Sequence, residues 1–108
     1  MKKLLLASLL AASLTPFSAN AAIACEDVAS LAKTIMNVRQ DGVSMAKLLG
    51  AINNSDDEPV RDIGKAILMD AFEVPHYNGS ELKKKEISDF ENKWMLACLK
   101  NRLNSDKK

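Results

Sequence analysis

From Val28 onward, apolar residues recur every three or four positions, the spacing that lines them up along one side of an α-helix. Val28, Leu31, Ala32, Ile35 and Val38 form a first stripe. Asp41-Gly42 closes it, because glycine enters the left-handed conformation of a helix end without steric cost. Ser44 stands where a capping side chain is needed, ahead of a short second helix in which Met45, Leu48, Leu49 and Ile52 repeat the period. Asn53 to Asp57 is polar and reads as a loop. Asp57 as cap and Pro59 just inside the start open a third helix that turns Val60, Ile63, Ile67, Leu68 and Ala71 inward, and Pro75 stops it. After a turn from Val74 to Gly79, Ser80 is expected to cap a fourth helix that runs to about Leu103. Its buried stripe is Ile87, Phe90, Trp94 and Cys98, and Asn104 to Lys108 is expected to fray. No alternating strand pattern, internal repeat or low-complexity stretch interrupts this. The chain therefore predicts an all-α fold, a compact bundle of about four helices in one domain spanning 22–108.

The first 21 residues follow a different logic. Lys2 and Lys3 precede an apolar run from Leu4 to Leu14, followed by Thr15, Pro16 and Ser18 and then Ala19-Asn20-Ala21, the order of an export signal with its cleavage site. Eleven residues are too few for a permanent span, which needs about 20. Cleavage after Ala21 leaves 87 residues and places the protein in the periplasm. A second Ala-x-Ala at Ala22-Ile23-Ala24 abuts Cys25 and raises an alternative, a lipoprotein acylated at Cys25. An acylation box normally touches the apolar core and prefers Leu where this chain has Ala22, so the unlipidated form is expected.

Cys25 and Cys98 are the only cysteines, and an even count in an exported chain of this size reads as one disulfide. It would join the start of the mature chain to the last helix. A redox-active pair usually sits close in sequence, as in Cys-x-x-Cys, so the wide spacing points to a structural bridge.

Without the signal, 13 basic residues face 14 acidic ones. A near-neutral total argues against a nucleic-acid binder, which carries a strong basic excess. The charges are unevenly spread: 22–79 holds five basic and nine acidic residues, 80–108 eight and five. Complementary halves of one fold, or simple solvation, account for this, and the functional alternative is a basic last helix that meets anionic lipid or an acidic partner.

Candidate chemistry is sparse. His76, the only histidine, lies in a Pro-containing turn with no Ser or Cys at a nucleophile spacing, and is expected to be a surface residue. Asn53 to Glu58 is rich in oxygens but lacks the glycine and the later glutamate of an EF-hand loop, so a loop with a helix cap is expected. Lys83, Lys84 and Lys85 turn by about 100° per residue on a helix and do not make one compact patch. Met36, Met45, Met69 and Met95 are scattered at helical spacing and are expected to pack the core rather than bind a soft metal. Catalytic residues, cofactors and metals are therefore expected to be none.

The order Cys25, helix, Arg39-Gln40-Asp41-Gly42-Val43, a Met/Leu helix, Asp70-Ala71-Phe72-Glu73-Val74-Pro75, then Asp89-Phe90-Glu91-Asn92-Lys93-Trp94 and Cys98 resembles a set of small exported, two-cysteine helical proteins of unknown function from proteobacteria and their phages or prophages. The resemblance spans nearly all of the mature chain and implies a disulfide-linked helical fold without implying an activity. A weaker similarity is to the Hde-type periplasmic acid-stress chaperones, through Cys25-Glu26-Asp27, the two cysteines and the Lys-rich end. In that family the second cysteine precedes the terminal basic helix, whereas here Phe90 and Trp94 come before Cys98. The expected function is that of a non-enzymatic interaction protein, monomeric or weakly dimeric, with an envelope or phage-encoded protein as partner. The alternative is an acid-stress chaperone, opened when its carboxylates are protonated.

Overall fold

A computed structural model describes residues 23–106, and they form four helices: α1 (Cys25–Gln40), α2 (Met45–Asn53), α3 (Glu58–Glu73) and α4 (Ser80–Asp106). No strand occurs among the described residues. The expected signal segment, its cleavage site and Lys107 and Lys108 lie outside the described residues.

Each helix end follows from local chemistry. At the end of α1 the Val43 amide donates to the Val38 carbonyl and the Gly42 amide to that of Arg39, with Gly42 at φ 92°. This is the six-to-one and five-to-two pairing that a left-handed glycine permits. Ser44 caps α2, its Oγ accepting from the Lys47 amide at 3.2 Å, and Asp57 caps α3 by accepting from the Val60 amide at 3.3 Å, with Pro59 in the first turn. At α4 the Gly79 carbonyl accepts from the Lys83 amide, which makes Ser80 the first helical residue rather than the cap. The expected fraying from Asn104 does not hold through Asp106, since α4 continues to that residue.

The core lies where α1 is enclosed by α3 and α4. Val28, Ala32, Ile35 and Met36 of α1 meet Ile67, Leu68 and Ala71 of α3 and Phe90 of α4, all buried, while Ile87, Trp94 and Cys98 pack on the margin. α2 packs on the outside of α3, where Gly64 lets it approach: a Cβ there would stand 3.0 Å from Ile52 Cγ2. This peripheral position corrects the expectation for two methionines. Met45 is 40 % exposed and Met69 58 % exposed, because α2 has nothing on its outer side and Met69 projects away from α1, whereas Met36 is fully buried. Leu49 is likewise exposed, so α2 rests on Leu48 and Ile52.

The bridge expected from the cysteine count is present. Cys25 and Cys98 are disulfide-bonded, with Cα atoms 5.6 Å apart and 73 residues between them in sequence. It ties the first turn of α1 to α4, and Arg102 of α4 adds a second tie by donating to the Ile23 carbonyl. Cys25 and Cys98 at one end, and the Gln40 to Tyr77 contact at the other, set α1 and α4 antiparallel.

Candidate functional site

Three arrangements bring polar side chains to bear on the fold, and each begins from residues whose neighbours leave them few alternatives. The first is a latch. Gln40 is the one buried polar residue among those described, held inside because it follows Ala32 and Met36 at four-residue steps on the apolar side of α1. Its Nε2 donates to the Pro75 carbonyl at 2.9 Å, and its Oε1 accepts from the Tyr77 amide at 2.9 Å. Next to it, Arg39 donates to the Val74 carbonyl at 3.0 Å and lies over the Phe72 ring at 4.5 Å. Together they replace the hydrogen bonds that a turn without regular structure cannot make for itself. Sequence reasoning missed Gln40 as a structural residue, although its register with Met36 marked it.

The second arrangement links α3 to α4. Asp70 accepts from Trp94 Nε1 at 2.9 Å, and Lys93 Nζ lies 2.8 Å from the same carboxylate. The indole is thus oriented by its polar edge, while its ring faces a groove. A separate exposed pair on α4, Lys85 and Asp89 at 2.7 Å, holds the Lys85 ammonium above its usual range through the Asp89 hydrogen bond.

The third is that groove, about 360 Å³ and open to solvent, between the beginnings of α1 and α3 and the second half of α4. Ile23 and Val28 form one wall, Pro59 and Ile63 another, and Trp94, Ala97 and Cys98 the floor, with Asn101 and Arg102 as its polar end. Burial of apolar surface is the favourable term such a groove offers, and few polar groups set orientation. A guanidinium has five donors, of which the Ile23 carbonyl takes one, so Arg102 can also face an acceptor in the groove.

No family model, curated protein or solved structure matches this chain. The functional reading therefore rests on these side chains alone.

The residues singled out from sequence fall as follows. Cys25 and Cys98 come together, with Cys98 also lining the groove. His76 is exposed in the turn that Gln40 latches. In the polar loop, Arg61 donates to the Ser55 carbonyl at 2.6 Å and the Asp57 amide to Ser55 Oγ at 3.3 Å, so the segment spends its polar groups on closing the turn and capping α3. Among the described residues no three of His, Cys, Asp or Glu are grouped to hold a metal ion, and no helix is long and apolar enough to cross a membrane.

Proposed function

We propose that this chain is a small exported, non-enzymatic interaction protein that seats an apolar anchor of an envelope or phage-encoded partner protein in the groove beside the disulfide. The observation that carries the reading is the groove itself: apolar walls from three elements, open to solvent, with a single cation at one end. A partner segment that buries an aliphatic or aromatic side chain there and sets a carboxylate against Arg102 matches both its polarity and its charge. The disulfide supports export, since such bonds persist in oxidising compartments, and it holds the wall formed by Ile23 and Val28 against α4.

The test is a filled groove. Ala97 is exposed, so Ala97→Trp occupies the groove without entering the core. A partner recovered from the envelope fraction by the tagged wild-type protein should be lost with Ala97→Trp, while the thermal melt of the variant stays within a few degrees of wild type, as expected for surface substitutions within about 0.5 kcal/mol. Equal recovery by both proteins would refute the reading. Suppression of aggregation of a denatured client at about pH 2 to 3, where carboxylates of ordinary pKa are protonated, would instead mark an acid-activated chaperone.

A further inference from the structure

The surface recess beside the disulfide does not end at Ile23. That residue also borders a second cleft, of about 300 Å³, in which Asp27, Leu31 and Thr34 of α1 face Val60 of α3. Leu31, Thr34 and Val60 in turn border a third, of about 250 Å³, which lies between α1 and α2 and is lined by Ile35, Val38, Leu48 and Ile52. Val28 belongs to the first groove and Val38 to the last cleft, ten residues farther along α1, so the series advances about 15 Å. Its walls are apolar and its two charges are opposite in sign. Arg102 stands in the first groove and Asp27 in the second cleft, where Asp27 is exposed and makes no ion pair among the described residues.

We infer that the three clefts seat one continuous segment of the partner protein, which sets a carboxylate against Arg102, a cation against Asp27 and a second apolar anchor between α1 and α2. This deepens the function proposed for the groove and rests on it. Charge and shape select the occupant. An acyl chain would fill apolar clefts but brings no cation for Asp27, which would be covered without a partner. A second copy of the chain would set one concave surface against another and leave both unfilled. A protruding protein segment carries apolar side chains and both charges, and two opposite charges at fixed places determine which way it runs. Burying a second side chain also adds to the affinity that the first groove supplies, because each well-filled pocket is an anchor of its own.

Thr34 is exposed and borders both the second and the third cleft, but not the first, so it tests the extension separately from the groove. A photo-crosslinking side chain is placed at Thr34 or at Ala97 in the exported protein, and the linked residues of each adduct are located by mass spectrometry. Both positions are expected to trap the same protein, at residues of one segment no more than about ten apart, the number that spans 15 Å in a helix. Thr34→Trp, which fills the two further clefts, should lower recovery of that protein about tenfold, with a thermal melt within a few degrees of wild type. Asp27→Asn should lower recovery about threefold, the range of an exposed ion pair. An adduct from Ala97 with none from Thr34, or full recovery by both variants, would overturn the extension and leave the groove as the docking site. Adducts from neither position would overturn both. A Thr34 adduct with a second copy of the chain, or with a protein that Ala97 does not trap, would assign the further clefts to another occupant and overturn the inference.

Discussion

Cys98→Ser should lower the unfolding free energy by about 4 kcal/mol, the loop-entropy value for a closed loop of this length. For a domain of this size, that moves the thermal midpoint down on the order of 20 °C. Reduction of the wild-type protein should give the same midpoint, since either change removes the same constraint, and Cys25→Ser should match both. The effect is large for two reasons. Stability in a chain this short is a small difference between large terms, so one staple makes up much of it. In addition, Ala24, at the capping position before α1, offers no side-chain cap, and the start of the helix is fastened to the bundle by the disulfide and the Arg102 to Ile23 contact. Denaturant melts of oxidised, reduced and Cys98→Ser protein check this. A shift below about 1 kcal/mol would mean that the core holds α1 in place by itself.

Gln40→Ala should cost about 3 kcal/mol, the sum of an unfilled buried volume and two backbone groups left without partners. Those groups are the Pro75 carbonyl and the Tyr77 amide. Gln40→Met separates the two contributions, because methionine fills a similar space but makes neither hydrogen bond. About 2 kcal/mol of the loss should persist in it. Amide exchange at Tyr77 should accelerate in both variants, and an unchanged Tyr77 exchange rate would show that the turn is held by Arg39 and its own packing instead.

Helix ends and the staple were legible in the chain because their causes are local or countable. Asp41-Gly42, Ser44 and Asp57-Glu58-Pro59 each terminate or start a helix through bonds within a few residues, and two cysteines admit one pairing. Features that depend on which helix lies outermost were not legible. Met45 and Leu49 share the period of a core helix, and only the position of α2 at the edge exposes them. Gln40 has the side chain of a surface residue, yet it completes a buried row whose partner, the turn at Pro75, lies 35 positions away in sequence. On α4, leucines at Leu96, Leu99 and Leu103 satisfy the same spacing rule as Phe90, Trp94 and Cys98, and only the packed bundle decides which row it covers. The groove was hidden for a related reason. Val28, Ile63, Trp94 and Cys98 read as ordinary core positions, and only the packing of three elements shows that they border a groove with Ile23, Pro59 and Ala97.

The groove beside Cys98 is proposed to meet a partner protein in the compartment where the chain resides. A photo-crosslinking side chain at Ala97, which lines the groove and is exposed, measures this in living cells, with Lys65, exposed and absent from its lining, as the comparison position. A discrete higher-mass adduct is expected from position 97 and not from position 65; no adduct from 97, or the same adduct from both, would rule the groove out as the docking site.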